Sequence, residues 1–154
     1  MFEIVPSGIP EVPQPGEEPA PFARRAALEK ALDVAAKRPG DWILGADTVV
    51  VIDGRILGKP ADAAEAREML RCLSGRTHEV LTGVALVGPD GDPVANPIVR
   101  SSVEFRALSD MEIAAYVASG EPLDKAGAYA IQGGARHFVR SVTGSRSNVI
   151  GLPA

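Results

Sequence analysis

Ile43-Leu44-Gly45-Ala46-Asp47-Thr48-Val49-Val50-Val51-Ile52 is the stretch on which the fold turns. From Trp42 onward the chain is apolar and rich in β-branched residues, as a buried strand should be, and only Asp47 and Thr48 interrupt it. Asp53-Gly54 follows at once. That dipeptide readily takes the two positive φ angles of a tight hairpin turn, so Arg55-Ile56-Leu57 is expected to fold back as a second strand. Upstream, Phe22, Leu28, Leu32 and Ala35 recur at near-helical spacing as far as Lys37, and Pro39-Gly40 ends the pattern. A helix is expected there. Before it, Phe2–Val5 reads as the end of a strand, and the proline- and glycine-rich stretch to Pro21 as a loop.

Downstream, Asp62 can cap a helix that buries Ala66, Met69, Leu70 and Leu73, closed by Ser74-Gly75. Arg76–Val87 and Ile98–Leu108 read as the arms of a long hairpin, with Pro89-Asp90-Gly91-Asp92 as a turn between them. Ser109 then caps a third helix carrying Ile113, Tyr116 and Val117, which ends near Gly120. From Gly127 on, glycines alternate with short apolar runs. Helices interleaved with strands and hairpins predict one α/β domain, a mixed twisted sheet flanked by helices.

The chain has 154 residues, 45% hydrophobic and 23% charged, enough for one sizeable core. A net charge of −4 gives no broad basic face, so neither nucleic acid nor an anionic membrane is an expected partner. A single cysteine, Cys72, excludes an internal disulfide framework and fits a cytoplasmic protein. No apolar run reaches the roughly 18 residues that a membrane span needs.

The chemistry-bearing residues are few. An unpaired carboxylate at Asp47 would cost several kcal/mol in a buried strand or be forced to take a proton. Either it points to solvent or a neighbouring turn, or it is kept for chemistry. Lys59, in Leu57-Gly58-Lys59-Pro60, is either an exposed loop lysine or a fixed point charge for phosphate on a loop stiffened by proline. The segment from Asp124 to Gly134 is either a glycine-rich structural turn or a surface that approaches a ligand closely and reads its polar edges with Gln132. His78 reads as a strand-edge histidine, since no serine or cysteine nucleophile pattern accompanies it, and Cys72 as helix packing. Glycine-rich dinucleotide and P-loop motifs are absent.

Taken in order, Ala46-Asp47-Thr48-Val49-Val50, Leu57-Gly58-Lys59-Pro60, Leu73-Ser74-Gly75-Arg76-Thr77-His78, Thr82-Gly83-Val84, the run from Asp124-Lys125-Ala126-Gly127 to Ile131-Gln132-Gly133, and Ser147-Asn148-Val149-Ile150-Gly151-Leu152-Pro153 resemble the Maf proteins. The resemblance implies a sheet architecture like that of inosine triphosphatases. It also implies hydrolysis of a nucleoside triphosphate, with a divalent metal (magnesium or manganese), to monophosphate and pyrophosphate. Asp47 matches the family's catalytic proton acceptor. Glu11 would join Asp47 near the metal, Lys30 and Lys59 would contact the phosphates, and Thr48 and Gln132 match positions tied to substrate choice. Asp-Lys-Ala-Gly-Ala-Tyr followed by Ile-Gln-Gly looks like the subfamily acting on dTTP and UTP, modified pyrimidine nucleotides included, rather than the one preferring 7-methyl-GTP. The resemblance leaves a homodimer open.

Against the family pattern, residues 1–154 are expected to form a domain lacking its first strand, the loop Ser-x-Ser-Pro-Arg-Arg and the helix after it, and to stop before a final helix. Arg146 also stands where an aromatic is common. Two arginines missing from a triphosphate site should cost roughly a thousandfold or more in rate, so these residues alone are expected to turn over dTTP and UTP negligibly. The alternative is a noncatalytic protein that binds nucleotide or acts in septum formation. A generic α/β binding module unrelated to this family is the third reading.

Overall fold

A computed structural model describes residues 3–5 and 13–144. Glu11, Arg146 and the motif at 147–153 lie outside the described residues. Helix α1 spans Pro19–Lys37 and strand β1 Ile43–Ile52; after the Asp53-Gly54 turn, β2 covers Arg55–Leu57. Helix α2 (Ala63–Leu73) leads into β3 (Thr77–Val87), β4 (Pro93–Ala95) and β5 (Ile98–Phe105). Helix α3 (Asp110–Ala118) follows, then three short 3-10 turns between Glu121 and Phe138, and finally β6 (Val139–Gly144). The strands order as β2-β1-β3-β5-β6, with β4 also on β3. Every pairing among the described residues is antiparallel. The expected α/β class holds, with helices flanking a single sheet.

Local signals place most of these elements. Asp53 and Gly54 both have positive φ, 53° and 74°, as a two-residue hairpin that follows the sheet's twist requires. The Asp62 side chain accepts the Glu65 N–H at 2.8 Å to start α2. Ser109 and Glu112 form a reciprocal capping box at α3. The buried residues of α2 are Ala66, Met69, Leu70 and Leu73, as its spacing predicts.

Side chains alternate across β1, and the two faces build different cores. Val50 and Ile52 join Val80, Val103 and Phe105 under α2, α3 and the 3-10 turns. Val49 and Val51 join Leu81 under Phe22, Ala23 and Ala26 of α1. Helix α1 buries its alanines more fully than the larger apolar residues that mark it: Phe22 is buried, Leu28 and Ala35 are partly buried and Leu32 is exposed, while Ala23, Ala26, Ala27, Ala31 and Val34 complete the buried side. The sheet explains why. A Cβ on Gly45 would stand 2.7 Å from the Ala27 carbonyl oxygen, and one on Gly83 would stand 2.1 Å from that of Ala23. The helix backbone lies directly on two glycines, a distance only an alanine face allows.

Other expectations change as well. Glu3–Val5 have no regular structure. The second arm of the long hairpin ends at Phe105, not Leu108, and the glycine-rich tail holds the 3-10 turns and β6. His78 is not at a strand edge. It sits on β3 in the middle of the sheet, only 2% exposed, with Nε2 2.7 Å from the Tyr129 hydroxyl and its ring edge-on to Phe105. Burial pushes its pKa from 6.5 down to about 4. Between those values the unfolded chain binds a proton that the folded one refuses, so stability falls as pH drops below 6.5. At ~1.4 kcal/mol per unit, the loss due to His78 reaches about 2 kcal/mol by pH 5. Urea midpoints of His78→Gln should lose that much less between pH 7 and pH 5 than the parent; an equally steep acid limb in the variant would contradict this.

Candidate active site

The two faces of β1 place its polar pair. Asp47 shares the face of Val49 and Val51 and points toward α1; Thr48 shares the face of Val50 and points away. On α1, Phe22, Ala26 and Lys30 form one row at intervals of four residues, so they stack on one side of the helix. Phe22 and Ala26 pack with Val49 and Val51, and the next in the row, Lys30, meets Asp47, the next position along the strand. Lys30 Nζ donates to Asp47 Oδ1 at 2.7 Å. Asp47 is 5% exposed, so the strand buries a carboxylate and the helix supplies its counter-charge. That arrangement answers the cost of an isolated buried charge. Thr48 Oγ1 lies 2.8 Å from Oγ1 of Thr82, its cross-strand partner on β3.

β2 covers only the Val50–Ile52 end of the outer edge of β1. Beside the rest of that edge opens a cleft of about 960 Å³ whose walls include Lys30, Asp47, Thr48, Lys59, Lys125 and Gln132. Because the cleft wraps the edge, two side chains on opposite faces of one strand both line it. It is large enough for a nucleotide-sized ligand. Five of the six sequence-derived site residues therefore meet in one place; the sixth, Glu11, lies outside the described residues.

Asp124, Lys125 and Tyr129, from the segment whose sequence allows either a structural turn or a ligand-facing surface, also line the cleft, although the sequence singles out only Gln132 of that segment for a role of its own. What brings them there is a contact between distant loops. The Gly127 N–H donates to the Gly58 carbonyl at 3.1 Å, tying the turn that carries Lys125 to the loop that carries Lys59. Gly127 makes that turn with φ of 69°, and a Cβ there would stand 2.9 Å from the Val50 side chain. Three lysines thus line one cleft together with Asp47 and Asp124.

Among the described residues no group of three or more His, Cys, Asp or Glu side chains could cage a metal. The donors present fit a magnesium-type cation, which takes one or two carboxylates and completes its shell with water and substrate phosphate. Asp47 is the carboxylate suited to that role.

Fold and cleft define an α/β protein in which three lysines and one buried carboxylate line a cleft at a sheet edge. The sequence model of the Maf-like protein family matches residues 1–154. A dTTP/UTP pyrophosphatase of Geobacter sulfurreducens is 53% identical over 152 residues, which cover 99% of this chain and 80% of that protein. A protein of the same name from Myxococcus xanthus is 52% identical over 152 residues, covering 99% and 76%. A nucleoside triphosphate pyrophosphatase of Xylella fastidiosa is 52% identical over 156 residues, covering 99% and 82%. The chain belongs to the Maf family, and the reading as an unrelated binding module falls. Among the described residues, no helix is long and apolar enough to cross a membrane.

Proposed function

We propose that the protein hydrolyses nucleoside triphosphates, dTTP and UTP foremost, to the monophosphate and pyrophosphate. The observation that carries this reading is one buried carboxylate, Asp47, paired with Lys30 in a cleft that also holds Lys59 and Lys125. The names of the relatives from Geobacter and Myxococcus supply the nucleotides.

The chemistry follows from the two sides of the cleft. On the α1 side, a water attacks the α-phosphorus of the bound triphosphate and Asp47 accepts its proton. The bond from that phosphorus to the bridging oxygen breaks, and pyrophosphate leaves with the electron pair. Lys30 holds the carboxylate in place, and with Lys59 and Lys125 it sets positive charge where the phosphates gain negative charge. A divalent cation of the magnesium or manganese class, held by Asp47 with Glu11 as second carboxylate, would screen the phosphates and activate the water. On the other side, Thr48 and the Gln132 amide meet the base. A glutamine amide both donates and accepts, which matches the N3–H and O4 of uracil or thymine. With a net charge of −4 and no broad basic face, a small nucleotide rather than nucleic acid or membrane is the fitting partner, and a single cysteine fits the reducing cytoplasm.

The test is pyrophosphate release from a panel of triphosphates by the native, full-length protein with magnesium or manganese. A kcat/KM for dTTP and UTP at least about tenfold above dCTP and the purine nucleotides is expected. No release from any of them would favour the noncatalytic reading.

A further inference from the structure

Gln132 stands on a turn that is gripped from behind. The Gly133 N–H donates to the Ala130 carbonyl at 3.0 Å and closes the turn. Both ends are then tied to α3 and the segment after it. The Ala130 N–H donates to the Tyr116 hydroxyl oxygen at 3.0 Å, and the Gly134 N–H donates to Glu121 Oε2 at 3.1 Å. Glu121 thus grips one end of the turn directly, while Tyr116 holds the other; burial pushes up the pKa of the Tyr116 hydroxyl, and the nearby Glu121 carboxylate helps to raise it. Contact at the centre is as close. A Cβ on Gly133 would fall 1.9 Å from Glu121 Oε1, and its three nearest neighbours would all be atoms of that carboxyl group. Neither Tyr116 nor Glu121 is among the residues lining the cleft, and the reaction above does not use them.

Gln132 needs such a grip if it selects between bases. Thymine and uracil present a donor and an acceptor, N3–H and O4, where cytosine presents the reverse, N3 and the N4 amine. A free glutamine amide satisfies either by turning over, because its two ends differ only in which one donates. Discrimination therefore depends on where the backbone puts the amide. We propose that Glu121, acting through the Gly134 amide and its close packing on Gly133, is a positioning residue that fixes the aim of Gln132 and thereby sets the preference for thymine and uracil over cytosine. The inference rests on the nucleotide-hydrolysing reading given above.

The experiment compares native protein with Glu121→Ala and Glu121→Gln in three measurements. These are steady-state hydrolysis of dTTP and dCTP, equilibrium binding of the two nucleotides without divalent metal, and amide exchange of the peptide spanning residues 130–134. Glu121→Ala should speed exchange in that peptide and lower dTTP-over-dCTP discrimination about tenfold. The loss should appear in the KM for dTTP, with kcat within about twofold. Glu121→Gln keeps an acceptor for the Gly134 N–H and should restore most of the preference. Faster exchange with discrimination unchanged would overturn the inference, leaving Glu121 a merely structural residue. Native protein that binds dTTP and dCTP equally would overturn it too, as there would be no preference to set. Selective binding lost in Glu121→Ala, in a protein that hydrolyses neither nucleotide, would support the inference and count against the hydrolytic function alone.

Discussion

Asp47→Asn is expected to lower kcat for dTTP about a thousandfold while the protein stays folded. The amide keeps the shape of the carboxylate and one oxygen to accept from Lys30, but it cannot take the proton of an attacking water or offer a charge to a cation. Removing a general base costs about a hundred- to ten-thousandfold, and the missing charge at the metal adds to that. Folding should suffer less. Lys30 loses its counter-charge, yet its side chain is 18% exposed and can reach water, so the penalty should stay below the ~3–5 kcal/mol of a fully buried pair that is broken. Kinetics beside a urea melt separate the two effects. A variant with the parent kcat would remove Asp47 from the reaction.

The second large effect is expected at a residue with no side chain of its own, Gly83→Ala. The added methyl would stand 2.1 Å from the Ala23 carbonyl oxygen, 2.4 Å from its carbonyl carbon and 2.7 Å from the Arg24 nitrogen. All three are backbone atoms of α1, so no rotamer change relieves the clash and the helix itself must move off the sheet. Overpacking of this kind costs about 1–3 kcal/mol where side chains can adjust, and a rigid helix leaves little room for that. A loss of about 3 kcal/mol or more is expected. Because Gly83 is the cross-strand partner of Asp47, and α1 carries Lys30, the same movement should pull the ion pair apart and reduce activity in the fraction still folded. An unchanged urea midpoint would mean that α1 does not lie where the structure puts it.

These two sites show how much the sequence could reveal. Where a residue's role depends on its immediate neighbours, the reading was direct. Asp53-Gly54 turns the chain, Asp62 and Ser109 start helices, and α2 buries the stripe its spacing predicts. Asp47 was conspicuous because a carboxylate inside an apolar strand needs a reason, and the structure supplies a partner in Lys30. Where a role depends on what lies across the fold, the sequence was silent or misleading. Leu28 and Leu32 looked like the buried face of α1, but Gly45 and Gly83 draw the alanine face in so closely that Leu28 is only partly buried and Leu32 is exposed. His78 looked peripheral because nothing local shows that β3 is the central strand. Lys125 belongs to a motif that assigned it no role; it reaches the cleft because Gly127 docks on Gly58.

The central claim is that water attacks the α-phosphorus in the cleft beside Asp47, and isotope placement tests it most directly. Native full-length protein would hydrolyse dTTP in water enriched in oxygen-18, with both products analysed by mass. Thymidine monophosphate and pyrophosphate are expected in equal amounts, with the heavy oxygen in the monophosphate. Label in the pyrophosphate would place the attack on the β-phosphorus, and release of diphosphate with inorganic phosphate would place it on the γ-phosphorus; either result would contradict the account.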